Sequence, residues 1–451
     1  MRKRAILAFM LAAALFLSGC ALVEKDMAVD NATVIVQLGD QTVTKAQVNS
    51  AVDYQLNYTA QMYSMYYGYS FDTTSDTAKA DALDTVLNGF AQELVKVQKA
   101  KELGFDVLTD EEDVTIKEDA QTQFDSDKEY VKGQYFSDTT LEGDALEEAI
   151  LAQMKEMGLE YDTYYYPNAK ATAAQDKLRE SVIKDITVSD EEIQAEFDSR
   201  VESAKTSYAT SLSSYGATVN SNGTVYYAPA GYRYVKHILR KFPDDTQTAL
   251  TDLQSQITDK TTAITNLETS IGALGEDVAE DDENRVKLNA DKAAAEQEKA
   301  GLQAQYDAAL EAAYAALQPT VDEVLGKIAA GEDFDTLMAT YGEDPGMQRS
   351  PQMENGYAVC ENFSSFDPAF TAAAMALEKA GDVSPAVRGQ SGIHIIKYVS
   401  DIQEGPVALD TVKDTISSSL LSQKQDDAYT AQVEAWVKAS DVKIYKDRMD
   451  Q

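Results

Sequence analysis

The sequence predicts an α+β protein in which long amphipathic helices dominate and a small sheet with covering helices forms a separate unit. Three observations predict this. Apolar residues recur at helical spacing over much of the first 200 positions, and a heptad rhythm fills 246–318. Short runs of β-branched and aromatic residues stand near 33–43, 232–239 and 393–399. At 451 residues the chain has room for two or three domains.

Met1 to Arg4 is basic and Ala5 to Leu17 is an apolar run. The run is shorter than the roughly 20 residues that span a bilayer, and it reads as a secretory leader over 1–19. It stops at Leu17-Ser-Gly-Cys20, which resembles the bacterial lipobox, so Cys20 is expected to carry the lipid and 20–32 to form a tether. Cys360 is then the one remaining cysteine, and the mature chain has no intramolecular disulfide to form.

Thr33 to Leu38 reads as a strand, Gly39-Asp40 as a turn, and Thr42-Val43 as a second strand before a helix opening near Thr44. The clearest helix is Asp81 to Leu103. Its apolar stripe is Leu83, Val86, Leu87, Phe90, Leu94 and Val97, and Gly104 closes it. Ser189 and Glu192 have the spacing of a capping box that opens a helix reaching Tyr208. Ser211 to Gly223 is rich in Ser, Gly and Asn and reads as a linker.

A strand at Tyr232 to Leu239 is broken by Pro243. Leu250, Leu253, Ile257, Ile264, Leu267, Ile271 and Leu274 keep heptad spacing, and an acidic turn near 275–283 leads to a second arm. An antiparallel helical hairpin over 244–317 follows from this. It serves equally well as a spacer or as an arm that grips a client. Helices are expected at Val321–Ala330, Phe334–Tyr341 and Pro368–Lys379. A strand follows at Ile393–Val399, a helix at Asp410–Lys438 and a last strand at Asp441–Tyr445.

The chain carries 76 acidic against 39 basic residues, a net charge of −37. Such a surface repels nucleic acid and anionic headgroups, so nucleic-acid binding is not expected. Only His237 and His394 supply imidazole, and any chemistry that needs it must use those two.

Tyr234-Val-Lys-His237-Ile-Leu239 resembles the first strand of the parvulin-type peptidyl-prolyl isomerases. Gly331-Glu-Asp-Phe334, Tyr341-Gly-Glu-Asp344, Phe370 with Ala373 and Leu377, Gly381-Asp-Val-Ser384 and Ser391-Gly-Ile-His394-Ile-Ile396 follow in the family's order. The resemblance covers about 95 residues, 231–243 and 318–402, split by the hairpin. It implies a small antiparallel sheet with helices, and an activity that rotates the X–Pro amide without nucleophile, metal or redox cofactor. It also implies roles. His237 and His394 would form a paired-histidine floor, with Asp344 beside the bound amide as the third catalytic group. Phe366 and Phe370 would line the proline pocket, Ser391 would join the polar network, and Ala358 would take the place of the pocket leucine. The alternatives to these roles are a purely structural histidine pair on neighbouring strands and ordinary core packing for the two phenylalanines.

The sequence departs from the family at Asn355-Gly-Tyr-Ala358, where a Gly-Asp-Leu-Gly segment is usual, and Cys360 does not align with the family's cysteine. Arg240-Lys241 runs straight into the hairpin, which speaks against a preference for phosphorylated residues.

Val34 to Val43, Ile186 to Ile193 and Val442-Lys-Ile-Tyr445 resemble the chaperone domain of PrsA-type and SurA-type foldases. That resemblance implies a mostly helical, chaperone-like domain over 33–228, completed by 405–451, into which the isomerase domain is inserted. Unfolded or newly secreted polypeptides with X–Pro bonds would be the partners, with the membrane reached through the lipid. It leans the location toward the outer face of a Gram-positive cytoplasmic membrane and leaves a homodimer open. Tyr54, Tyr58, Tyr63, Tyr66, Tyr67 and Tyr69 supply either a client-binding aromatic surface or ordinary packing.

Overall fold

The computed structural model describes residues 27–275 and 279–449. The leader and Cys20 lie outside the described residues. Contacts divide the chain into two compact units, one ending at Val188 and resuming at Ser418, the other running from Ser189 to Ser417. The second unit thus begins well before the boundary expected at 228.

In the first unit α1 (Met27–Asn31) leads into β1 (Val34–Leu38) and β2 (Gln41–Thr44). β1 sits in the middle of a three-stranded antiparallel sheet, between β2 and the terminal strand Lys443–Ile444, with Val36 opposite Ile444. Among the described residues, the first and last strands are therefore hydrogen-bonded neighbours. Thr44 caps α2 (Lys45–Tyr67) through a reciprocal bond with Gln47. Lys45 is buried because its ammonium pairs with Asp30 at 3.1 Å and donates to the Arg448 carbonyl.

α3 (Asp76–Glu102) buries Val86, Leu87, Phe90 and Leu94 against β1, as the stripe predicts. Its face continues through Ala91 and Val95 more than through Val97, which is half-buried. α4 (Asp110–Tyr135), α5 (Gly143–Glu156), a π-helical turn at Tyr161–Tyr165 and α6 (Tyr166–Ile183) enclose a separate core of Ala120, Val131, Ile150, Met154 and Tyr165. No described helix is long and apolar enough to cross a membrane.

The second unit opens with α7 (Asp190–Thr210), whose capping box of Ser189 and Glu192 is formed as expected. The segment read as a linker is instead α8 (Ser213–Asn220), and it is built into the core. The Tyr215 ring meets Tyr232 edge-on at 4.8 Å, and the Gly216 N–H donates to the Tyr232 hydroxyl at 3.1 Å. A Cβ on Gly216 would stand 2.8 Å from the rings of Phe363 and Tyr232, so only glycine allows this approach. Tertiary packing here overrides a loop-like composition.

β3 (Tyr227–Ala228) precedes β4 (Arg233–Lys241), the central strand. From Pro243 the chain leaves in α9 (Asp244–Ala273) and returns in α10 (Glu283–Ala329). The hairpin is present, but its second arm does not stop near Gln318. It runs through Pro319 as one helix and merges with the helix expected at Val321–Ala330. A proline inside a helix costs about 3 kcal/mol. Burial of Tyr314, Leu317, Val321 and Val324 on both sides of it offsets that cost.

α11 (Phe334–Tyr341), α12 (Gln352–Asn355), β5 (Tyr357–Val359), α13 (Pro368–Ala376), β6 (Val387–Gly389), β7 (Gly392–Asp401) and β8 (Gly405–Pro406) complete the unit before α14 (Leu409–Ala439). The main sheet is antiparallel in the order β5-β4-β7-β6. Period-two alternation divides its residues. Ile238, Ile393 and Ile395 face a core built on α10 and α11, while Val235 and Ile396 face the core under α13.

Candidate active site

The same alternation places both histidines on the α13 side. In the β4–β7 ladder His237 lies opposite Ile396 and Leu239 opposite His394, so the imidazoles are diagonal neighbours on one face. Their Nδ1 atoms are 3.0 Å apart. His237 Nε2 lies 2.7 Å from Asp344 Oδ2. Asp344 comes from the loop after α11, which is fastened to β4 where the Glu343 N–H donates to the Leu239 carbonyl at 3.0 Å. The Tyr357 hydroxyl donates to the same Asp344 oxygen at 3.0 Å, and the Gly346 N–H donates to the other at 2.9 Å. A Cβ on Gly346 would fall 1.8 Å from the Tyr357 hydroxyl. This residue must therefore be glycine for the carboxylate to be clasped.

These bonds set the protonation states. Burial alone would raise the Asp344 carboxyl, but the His237 hydrogen bond and charge, with Gly346 and Tyr357, outweigh it and hold the group at about 2. Burial, and then Asp344, pushes the Tyr357 hydroxyl up, so it stays a donor. Burial and the neighbouring His237 bring His394 down to about 4. In the form in which both imidazoles are neutral, only one proton order satisfies every contact. His237 gives Nε2–H to Asp344 and accepts at Nδ1 from His394, whose Nε2 is left as the unprotonated nitrogen.

Above this floor lies a cleft of about 1290 Å3. Its lining includes the two histidines, Asp344, Tyr357, Phe366, Phe370 and Ser391. Phe370 is 3% exposed and meets both imidazoles edge-on, at 5.1 Å from His237 and 5.2 Å from His394. Phe366 packs on Phe370 and Tyr357 at 5.6 and 5.0 Å and is more open.

Two expectations need correction. Ala358 does not line the cleft. It is fully buried behind it, where its N–H and carbonyl bond the Asn220 side chain, because β5 turns Tyr357 to the cleft and its neighbour to the core. Ser391 lines the wall without a hydrogen bond to either imidazole; its carbonyl accepts from the Phe242 N–H at 2.9 Å.

Tyr357 and Asp367 were not anticipated as site residues. Nothing local marks Tyr357. Asp367 has a signal, because Asp followed by Pro is a helix start. It caps α13 through the Ala369 N–H at 2.7 Å, and its second oxygen accepts the Gln390 N–H at 2.6 Å.

Residues 302–400 match the rotamase family described as a PPIC-type PPIase domain. The match begins inside α10 and so omits β4, which the fold returns to the centre of the same sheet. The chain therefore carries a PPIC-type, or parvulin, peptidyl-prolyl isomerase domain.

Among individual proteins it is similar to foldase protein PrsA of Clostridium botulinum, 37% identical over 137 residues, which is 30% of this chain and 40% of that protein. PrsA of Clostridium acetobutylicum is 31% identical over 113 residues, 25% of this chain and 33% of that one. The chain thus spans about two fifths or less of the length of these relatives. The crystal structure of PrsA from Bacillus subtilis aligns over 93% of this chain and 98% of its own, at 18% identity and a TM-score of 0.21.

Proposed function

We propose that this chain is an extracytoplasmic foldase, lipid-anchored through Cys20 to the outer face of a cytoplasmic membrane, that isomerises X–Pro bonds in newly secreted polypeptides. The observation that carries the reading is the hydrogen-bonded series Tyr357, Asp344, His237 and His394 under a cleft walled by Phe366 and Phe370.

Rotation about the X–Pro amide must cross a barrier of roughly 18–20 kcal/mol, and it breaks no covalent bond. A catalyst therefore works by favouring the twisted amide over the planar one. The phenyl walls take the proline ring and remove water from the amide, which weakens the hydrogen bonding that stabilises the planar form. The imidazole–carboxylate series is fixed before substrate arrives, so no reorganisation is needed during rotation. Asp344, His237 and His394 are the groups that face the amide, and Phe366 and Phe370 hold the ring.

A second reading is a non-catalytic holdase. It is favoured by Ala358, which turns to the core and leaves the cleft without the apolar side chain the family carries there. The aromatic face of α2 would serve either reading. From Tyr54 to Phe71 no side chain is charged, and Tyr66, Tyr67 and Tyr69 are each about two-thirds exposed.

The test is isomerisation of a capped Ala–Pro peptide by the purified protein, with Asp344→Asn and Phe366→Ala alongside. Acceleration that both substitutions reduce supports the enzyme. No acceleration, with aggregation of an unfolded client still suppressed, supports the holdase. For the anchor, acyl mass on Cys20 and release of Cys20→Ala into the medium are the expected observations.

A further inference from the structure

The charge of the cleft is one-sided. Asp344, Glu361 and Asp367 line it, and no lysine or arginine does. Two of these carboxylates are engaged, Asp344 by His237, Tyr357 and Gly346, and Asp367 by two backbone N–H groups. Glu361 is different. It is exposed at the rim and makes no hydrogen bond or ion pair among the described residues. On β4, Arg240 is paired with Glu343 at 3.4 Å and donates to the Tyr341 carbonyl.

We infer that this cleft selects prolines flanked by lysine or arginine, and that Glu361 is the side chain that reads the flanking charge. The inference rests on the isomerase reading and names its substrate class. Apolar walls at Phe366 and Phe370 lower the local dielectric, so carboxylates beside them act more strongly than on an open surface. A substrate ammonium or guanidinium gains a partner in Glu361 without displacing an existing bond. A glutamate or phosphate beside the proline meets three like charges and no cation. The net charge of −37 draws basic segments toward the same chain at longer range.

The experiment uses capped five-residue peptides with Lys, Arg, Ala or Glu beside one proline. Binding is read from the signals of the protein's two histidines, and turnover from exchange between the cis and trans resonances of the peptide. The Lys peptide is expected to bind about tenfold more tightly than the Glu peptide at low ionic strength, a ratio that Coulomb attraction at the rim can supply. In 0.5 M salt the ratio should collapse toward one, because screening then acts within about 4 Å. Glu361→Gln should cut the ratio about threefold with an unchanged melting temperature. Equal affinity for Lys and Glu peptides, a ratio that Glu361→Gln leaves intact, or no binding by any peptide overturns the inference. Preferential binding of Lys peptides without turnover leaves charge selection standing and instead removes the isomerase reading.

Discussion

Acidification is the sharpest probe of the histidine floor. His394 is held at about 4 against an ordinary value of 6.5, chiefly by burial and then by the neighbouring His237. An unfolded chain takes up this proton below pH 6.5, whereas the folded chain refuses it until about pH 4. The unfolded state therefore binds more protons across that interval, and stability falls as pH falls through it. Above pH 6.5 this contribution is flat. A displacement from 6.5 to about 4 corresponds to about 3 kcal/mol between the ends of the window. The assay is direct because the chain has two histidines and no more. Selective ring labelling yields two titration curves, and the one removed by His394→Asn should have its midpoint near 4. Chemical denaturation of wild type and His394→Asn at pH 7 and 4.5 then isolates the linked loss, since the other acids titrate in both. Asp344, depressed to about 2, stabilises the fold above pH 3.8 and loses that effect only as pH falls toward 2, so its window lies below. A His394 midpoint near 6.5, or the same pH slope in both proteins, refutes the reasoning.

Four further outcomes follow from the packing and from the exposed aromatic face. Phe366→Ala should lower kcat/KM for an Ala–Pro peptide about tenfold at a cost of about 1–2 kcal/mol, because this half-buried ring is wall rather than core. Phe370→Ala should cost about 3–5 kcal/mol in chemical denaturation, since that ring supports both imidazoles; a loss under 1 kcal/mol would contradict the edge-on contacts. Gly216→Ala should destabilise the protein by about 1–3 kcal/mol, and an unchanged denaturation midpoint would show that Tyr232 and Phe363 yield freely. Replacing Tyr66, Tyr67 and Tyr69 together with Ser should leave the melting temperature unchanged and weaken suppression of client aggregation severalfold; full suppression would remove that face as a binding surface.

What the sequence made legible was local and periodic. The strands bearing His237 and His394, the Ser189 capping box and the stripe of α3 were each marked by residues within one or two turns of one another. Asp344 could be brought to the histidines only through family resemblance, because its loop owes its position to a backbone bond with Leu239. What stayed hidden depended on distant partners. α8 forms although its composition suits a loop, since Tyr215 and Gly216 find Tyr232 and Phe363. α10 passes Pro319 because buried neighbours outweigh a local penalty. Tyr357, and not Ala358 as the resemblance implied, faces the cleft for a similar reason. Which of them faces the cleft is decided by the register of β5 on β4, a one-residue choice that the segment itself does not state.

The sheet that sets Val36 beside Ile444 makes the order of synthesis matter. A chain made amino end first exposes β1 long before its edge partner exists. The unit that holds the cleft, bounded by Ser189 and Ser417, has all of its strands in hand before Lys443 and Ile444 are made. The first unit must wait for Lys443 and Ile444. A frameshift or protease cut just before Lys443 would leave the histidine floor untouched and open the edge of β1. Such truncated chains should keep the cleft but lose their resistance to strand-wise self-association.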